Sequence, residues 1–224
     1  MHIAQLSLAA AFCAVLWWMY HSHHRKTQTG RAKLLDDCVS LLQNPVLSLN
    51  EAGYAKLEGN FQGCRMRVML EEDHMTMRKI PSLWLHVVAE AHRPIKGSLD
   101  ILVRPQNTEF YSPSWDWNGK VQPLPDWPNH ATYRTQDVPP DLPALDAHVR
   151  VFFRDDKAKE LLVTPKAVRL TYQAKQAERG EYLLLRAANF DHESLPSSML
   201  QAMLDCASAI NRDLQGVTNN DKPH

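Results

Sequence analysis

The chain has 224 residues, of which 44% are hydrophobic and 22% are charged, and its 25 basic side chains balance 25 acidic ones. These values lie near the averages of globular proteins, which excludes a polytopic membrane protein and a wholly disordered chain. Because no basic stripe is present, we expect no nucleic-acid partner.

The first element is an uncharged stretch at residues 3–20. As an α-helix it would be about 27 Å long, which is enough to cross the hydrocarbon core of a bilayer. It closes with Trp17, Trp18 and Tyr20, whose rings prefer the level of the lipid headgroups. We therefore predict a transmembrane anchor at 1–22 that contacts the lipid bilayer through residues 3–20.

A cleaved signal peptide is the alternative for this segment, but it would need a basic start and small residues after the apolar run, and the sequence has neither. The basic residues instead follow the run, as Arg25, Lys26, Arg31 and Lys33. By the positive-inside rule, this predicts a single-pass protein of the inner (plasma) membrane with its soluble part in the cytoplasm. The four cysteines form no CxxC pair, and we expect free thiols.

Residues 23–53 are predicted to be a juxtamembrane linker with a short amphipathic helix at 32–43. Leu34, Leu35 and Cys38 belong to its apolar stripe, and Asn44 precedes a proline that breaks the pattern. Such a stripe either packs on the domain or lies on the membrane, and core packing is the more common outcome.

Residues 54–104 change to a period of two, with turn-forming glycines, prolines and an aspartate between short apolar runs. This pattern predicts four or five antiparallel strands with one buried face. They begin a soluble α+β domain that we place at 54–216.

Residues 105–147 hold eight of the 14 prolines and three of the six tryptophans. We predict a long irregular loop there. Its aromatic and polar side chains can form a recognition surface for a peptide, a sugar or another ligand, with Trp115, Asp116, Trp117, Trp127 and His130 as the candidate residues. The alternative is that the tryptophans plug the edge of the sheet.

After the loop, the pattern predicts a strand at 148–154, a helix at 155–176 that breaks at 163–165, a strand at 181–188 and a helix at 194–214. The tail at 217–224 is polar and predicted to be disordered. The predicted fold class is α+β: an N-terminal transmembrane helix, a mainly antiparallel sheet domain and a long C-terminal helix.

No established catalytic or nucleotide-binding motif occurs in the chain. Possible acid-base or metal-binding groups are Asp73 with His74, Asp155 with Asp156, Asp191 with His192 and Glu193, and the histidines His21, His23 and His24. Each of these groups is also ordinary for a turn, a helix start or a hydrated interface. We therefore predict no metal, no cofactor and no catalytic site, and an enzyme with an unrecognised site stays an alternative.

Two stretches resemble uncharacterised bacterial single-span membrane-anchored proteins. They are the run from Leu57 to Cys64 with the strand that follows, and residues 151–164 leading into 181–210. The resemblance rests on pattern and covers about half of the chain. It implies a bacterial membrane-anchored protein and carries over no site residues.

Together these features predict a membrane-tethered, cytoplasmic-facing binding or scaffolding domain whose partner is another protein. A carrier of an apolar ligand such as a lipid is an alternative, because a sheet closed by a long helix can leave a cavity between the two. Six methionines would be its lining: Met66, Met69, Met75, Met77, Met199 and Met203.

Overall fold

The structure is a computed structural model, and it describes residues 2–73, 80–105, 109, 111–185 and 188–220. The helices are α1 (His2–Lys33), α2 (Leu142–Phe152), α3 (Arg179–Leu185) and α4 (Ser197–Asn220), with 3-10 helices at Asp36–Leu41 and Pro113–Asp116. The strands are β1 (Gln43–Leu49), β2 (Ala55–Phe61), β3 (Cys64–Glu72), β4 (Ser82–Glu90), β5 (Leu99–Val103), β6 (Gly119–Lys120), β7 (Ala131–Thr135), β8 (Ala158–Thr164) and β9 (Ala167–Gln176).

The strands form one sheet in the order β1, β2, β3, β4, β9, β8, β5, β7, β6. Every pairing between the described strands is antiparallel. The first four strands are a meander, and β3 shows the expected period of two, since Cys64, Met66, Val68 and Leu70 are buried. The predicted α+β class with a mainly antiparallel sheet is confirmed.

Helices α2 and α4 cover one face of the sheet, which we call the inner face. Helix α4 lies against β4 and β9 and also packs on α2. Its buried side chains recur at threes and fours: Leu200, Met203, Leu204, Ala207, Ile210 and Leu214. The predicted C-terminal helix is confirmed, and it continues to Asn220, so residues 217–220 are helical where a disordered tail was predicted. Residues 221–224 lie outside the described part of the chain.

Helix α1 is longer than the sequence predicted, because it continues without a break through residues 23–33. The stretch that the sequence analysis assigned to a juxtamembrane linker is therefore helical up to Lys33. Within the described residues, no helix is both long enough and apolar enough to cross a membrane. The predicted transmembrane span is thus not confirmed.

The stripe predicted at 32–43 does pack into the core, but it does so in a shorter helix. Leu34, Leu35, Cys38 and Leu42 are all buried, and a 3-10 helix occupies Asp36–Leu41. The chain then enters β1, which the sequence analysis did not predict. The sheet domain consequently starts before residue 54.

The strand predicted at 148–154 is wrong, because these residues fall in and just after α2. Val149, Val151 and Phe153 alternate in sequence and suggested a strand. The residues that α2 buries are instead Leu145, Val149 and Phe152, which follow helical spacing.

The helix predicted at 155–176 is a β-hairpin, formed by β8 and β9. Thr164 and Ala167 pair across a two-residue turn, and the Ala167 amide donates to the Thr164 hydroxyl at 3.2 Å. The proline between them therefore starts a turn and not a helix. The strand predicted at 181–188 is also wrong, since α3 ends at Leu185, while residues 186–187 lie outside the described chain.

The predicted loop at 105–147 contains more regular structure than expected. Strand β7 pairs with β5 and with β6, and α2 begins at Leu142. These elements are short and are separated by tight turns. None of them contains enough residues to show the hydrophobic periodicity from which a strand or helix is predicted.

The two ends of the sheet differ in what lies beside them. The start of β2, the end of β3, the start of β4 and the end of β9 meet at one end, next to α1, and we call it the tether end. The β2–β3 and β8–β9 hairpins close the opposite end, which we call the far end.

Candidate functional site

Helix α1 is fastened to the tether end through Arg31. Its guanidinium lies 4.6 Å from the centre of the Tyr54 ring, Nη2 lies 3.2 Å from Glu72 Oε2, and Nη1 donates to the Ala52 carbonyl at 3.0 Å. The Tyr54 hydroxyl donates to the same Glu72 oxygen at 3.1 Å, and burial raises the pKa of Tyr54. We call these four residues the α1 clamp.

A second set of contacts holds the same part of α1. Gly30 is buried against the imidazole of His192, so a larger residue would collide with that ring. One turn later, the Leu195 amide donates to the Leu34 carbonyl at 2.8 Å. The direction of α1 relative to the sheet is therefore fixed on two sides.

Above the clamp, α1 presents apolar side chains to the outside. Trp17 is 67% exposed and stacks on His21 at 5.3 Å. The other large exposed apolar residues of this stretch are Phe12, Val15, Leu16, Trp18, Met19 and Tyr20. Six consecutive exposed residues, 15–20, cover the whole circumference of a helix, and Arg25 and Lys26 follow, also exposed. The predicted interface residues thus lie together on α1, with Trp17, Trp18 and Tyr20 at the end of the apolar stretch and Arg25 and Lys26 just after it.

Strand β1 forms an open edge of the sheet. All seven of its residues are exposed and none of them is charged, and the described structure pairs it with β2 alone. Pro45 and an irregular register between Gln43 and Val46 protect the first part of this edge. The remaining part offers Val46, Leu47 and Leu49 with unpaired backbone groups on one side.

The aromatic residues predicted to bind a ligand lie on opposite faces of β7. On one face, Arg134 donates to the Trp115 carbonyl at 3.0 Å, and the Trp115 ring is exposed. On the other face, Tyr133 stacks on Trp127 at 5.8 Å, and the Trp127 indole donates to Asp146 at 2.8 Å.

The five predicted residues are therefore not brought into one surface. Trp127 is buried in the core cluster, whereas Asp116 and His130 are exposed and Trp117 is half-buried. Trp127 fills the role that the alternative gave to the tryptophans, because it plugs the space between β7 and α2. Ligand binding by the exposed members stays a prediction.

The predicted acid-base groups do not share partners. Asp155 accepts from the Tyr172 hydroxyl at 2.7 Å, whereas Asp191 pairs with Lys175. His74 lies outside the described residues, as do the side chains of His23 and His24. In the part of the chain that is described, no three His, Cys, Asp or Glu side chains are placed to hold a metal ion.

The methionines proposed as a ligand lining occupy different places. Met66 and Met203 are buried among leucines between the sheet and α4, and Met199 packs against the same core. Met69 faces the other side of the sheet, opposite His86, and residues 75 and 77 are not described. Met66 and Met203 fill the interface in which a cavity was predicted, and the carrier alternative stays untested.

The sequence analysis missed a group of buried polar residues on the outer face of the sheet, which α2 and α4 do not cover. We call it the polar cluster. Its members are the buried residues His86, Asp100, Glu160 and Thr171, together with Arg169, whose side chain is 18% exposed. Four neighbouring strands contribute, namely β4, β9, β8 and β5. The available signal was a charged residue inside an apolar strand, as in the run from Leu99 to Val103.

One row of hydrogen bonds runs through the polar cluster. His86 Nδ1 lies 3.0 Å from the Thr171 hydroxyl, which donates to Glu160 Oε2 at 3.0 Å. Arg169 donates to the same carboxylate oxygen at 2.8 Å, and His86 Nε2 lies 3.2 Å from Glu71. Burial lowers the pKa of His86, and the nearby Glu71 carboxylate partly opposes this shift. His86 is therefore desolvated within the sheet and at the same time faces a carboxylate on its Nε2 side.

Asp100 occupies the other side of the cluster and has no solvent exposure. Burial, with a smaller contribution from Glu160, raises the pKa of Asp100 to about 8. The hydroxyls of Ser112 and Ser114 donate to its Oδ2. Asp100 therefore fastens the segment around the 3-10 helix Pro113–Asp116 onto the sheet.

A buried ion pair completes this attachment. Lys159 lies 2.9 Å from Glu109, and both side chains are only 6% exposed. The Tyr111 ring covers Trp84 and His86 at 5.9 and 5.2 Å. A substrate could reach the polar cluster only if this segment moved away. In the described structure, this segment therefore encloses the polar cluster on the outer face of the sheet.

No protein-family model matches the chain, and no curated protein matches it. Among solved structures, the chain is similar to the mycobacterial trehalose monomycolate transport factor A, TtfA, with a TM-score of 0.40 and 9% sequence identity. The similarity covers 78% of this chain and 76% of that chain. A likeness at this level carries no argument about function.

Proposed function

We propose that the chain is a membrane-tethered binding domain. The apolar part of α1 enters the bilayer, and the α+β domain stands on the cytoplasmic side of the inner membrane, where it binds another protein. The observation that carries this proposal is the exposed apolar stretch of α1, which no part of the described domain covers.

Water is a poor environment for this stretch. Burial of a large apolar side chain is worth about 1.5–3 kcal/mol, so several exposed side chains on one helix represent a large unfavourable term in solution. A helix that is apolar on all sides is typical of a membrane or of a core, and the domain core lies elsewhere. A bilayer would remove these side chains from water on every side at once.

The charges beside the stretch support the cytoplasmic orientation. Arg25 and Lys26 follow it and are exposed, so both are available to anionic headgroups. Loops rich in lysine and arginine remain on the cytoplasmic side of bacterial membranes. Arg31 is used by the α1 clamp and ties the same helix to the domain.

The open edge of the sheet supports binding to another protein. An extended segment of a partner can add to an unpaired strand through main-chain hydrogen bonds. Strand β1 offers such an edge without charged side chains, and Val46, Leu47 and Leu49 supply apolar contacts.

Deletion of residues 3–20 tests the tether. The full chain should sediment with membranes and resist extraction by high salt, whereas the shortened chain should stay in the soluble fraction. A matched control replaces Arg25 and Lys26 with glutamine and keeps the apolar stretch, and it should still sediment. The proposal is wrong if the shortened chain remains membrane-bound to the same extent.

Fusions after His224, which leave α4 intact, test the orientation. A fluorescent protein fused there should be bright, and alkaline phosphatase should be inactive, since the phosphatase needs an oxidising compartment. An active phosphatase with a dark fluorescent fusion would place the domain in the periplasm. Crosslinking in cells, with a photoreactive residue at Val46, should then capture one defined protein, and the same residue at Lys166 of the far end should not.

A further inference from the structure

Helix α3 carries two leucines that have no cover in the described structure. Leu184 is 83% exposed and Leu183 is 57% exposed, whereas the neighbouring Tyr182 is buried and holds the helix on the domain. These adjacent leucines form a small apolar patch on an anchored helix, and this patch is open to a second surface.

Helix α3 lies at the tether end of the sheet. Strand β9 ends there at Gln176, and α3 begins three residues later. The segment after α3, at 188–192, lines a crevice together with Thr27 and Arg31 of α1. The leucine pair is therefore attached between the end of β9 and the base of α1.

The lengths of these segments place the pair near the predicted membrane surface. From Tyr20 to Thr27, α1 rises by about 10 Å. From Leu184 to Ala188, the chain spans at most about 14 Å. These lengths allow the leucines to reach the level at which α1 would leave the bilayer, and the α1 clamp holds the tether end close to that helix.

The nearby charges do not single out an anionic partner. Arg179 is exposed on α3, but Glu178, Asp191 and Glu193 are exposed in the same region. The type of surface that binds α3 is therefore inferred from the two apolar leucines and not from the charges. A lipid surface fits it, because the headgroup and acyl boundary accepts shallowly inserted leucines next to side chains of both charges.

We propose that α3 is a second membrane contact, in which Leu183 and Leu184 insert into the bilayer beside α1. This inference rests on the proposed membrane tether. Two contacts at separate points would hold the tether end of the sheet against the lipid and direct the far end into the cytoplasm.

Fluorescence from a single labelled cysteine tests the contact in the full chain. Cys13 and Cys206 are first replaced by alanine, and Cys38 and Cys64 remain because they are buried and their thiol pKa values are raised. An environment-sensitive dye is attached to Leu184→Cys, and the protein is reconstituted into vesicles of phosphatidylethanolamine and phosphatidylglycerol. Quenchers on the headgroup or on the acyl chain report the depth of the dye.

Two further positions make the outcomes distinguishable. Tyr20→Cys reports on α1 itself, and Lys166→Cys reports on the far end, about 30 Å along β9 from Gln176. We expect strong lipid quenching at positions 20 and 184 and none at 166.

Quenching at 20 without quenching at 184 would overturn this inference and leave the tether in place. No quenching at either position would overturn both. A blue-shifted dye at 184 that lipid quenchers do not reach would show that a protein covers α3, which also overturns the inference. Thermal unfolding of the labelled variants should match that of the parent, because the substituted leucine is exposed.

Discussion

Arg31 combines three interactions in one side chain, and its loss should weaken the attachment of α1. The Arg31→Ala variant leaves the Glu72 carboxylate and the Ala52 carbonyl without this donor and removes the cation above Tyr54. For partly buried groups we expect a loss of about 1–2 kcal/mol in the free energy of unfolding. Thermal denaturation measures it, and Arg25→Ala, on an exposed part of the same helix, should change it by less than about 0.5 kcal/mol.

Gly97 is needed for both its backbone angle and its lack of a side chain. Its φ is +88°, and a Cβ there would lie within 2.8 Å of the Pro139 carbonyl oxygen. Gly63, with φ of +78°, has nothing within 4 Å of the same atom. We expect Gly63→Ala to cost about 1 kcal/mol from the backbone angle alone, and Gly97→Ala to cost about 3 kcal/mol. Chemical denaturation of both variants compares them, and equal costs would contradict the proposed overlap with Pro139.

Asp100 should make the domain less stable as the pH rises. Its pKa is raised in the folded state, to about 8, above the value of about 3.9 in an unfolded chain. Its contribution is therefore fully present below pH about 3.9 and is lost as the pH rises toward 8, because the unfolded carboxyl ionises first. His86 acts in the opposite direction, since its pKa is lowered by burial and its contribution is lost as the pH falls below about 6.5.

The Asp100→Asn variant isolates the first effect. Asparagine keeps an oxygen for Ser112 and Ser114 but cannot ionise, so the variant should gain stability relative to the parent between pH 4 and pH 8, by at most about 1.4 kcal/mol per pH unit. Thermal melts across this range provide the measurement, with Asp116→Asn as an exposed control. A constant difference between variant and parent would show that Asp100 does not titrate there.

The polar cluster shows why single residues were hard to assign from the sequence. Asp100, Glu160 and His86 are far apart in the chain, and the strand order alone brings them together. Asp100 lies in an apolar run of the sequence, and this position could have been used to predict a buried carboxyl group. Its partners Ser112 and Ser114 belong to an irregular segment, whose position no spacing could reveal.

At the level of whole elements, prediction succeeded where one face of an element is buried over many residues. Helix α4 and the strands β2 and β3 repeat their buried positions over seven residues or more. The prediction for the segment between α2 and α3 was wrong because a turn with threonine and proline has the same composition as the start of a helix. Pairing of Thr164 with Ala167, which depends on the neighbouring strands, decides between the two.

Strand β1 should control self-association of the chain. Its open, uncharged edge is the kind that native sheets protect with lysine. The Val46→Lys variant should stay monomeric at concentrations at which the parent associates, because a charge would be buried in any strand-to-strand contact. Sedimentation velocity in detergent compares the two, with Val138→Lys as a control at another exposed valine. Equal association of parent and Val46→Lys would exclude this edge as the contact.

On the scale of the whole molecule, two of the exposed apolar surfaces are attached at the same end. Helix α1, with its exposed stretch, and α3, with its two leucines, both connect to the tether end, whereas two hairpins close the far end. The α+β class and the C-terminal helix could be predicted from local patterns. The position of α3 beside α1 could not, because it depends on contacts between residues 188–195 and the end of α1.

Because α1 is a continuous helix, its length fixes the distance between the apolar stretch and the sheet, which a flexible linker would not do. Each residue added between Tyr20 and Thr27 would rotate the apolar stretch by about 100° and raise it by about 1.5 Å relative to the sheet. Because the stretch is apolar around its whole circumference, the change in height matters more than the rotation, and seven inserted residues would change the height by about 10 Å. If α1 and α3 contact one bilayer as proposed, this segment should tolerate substitutions far better than insertions.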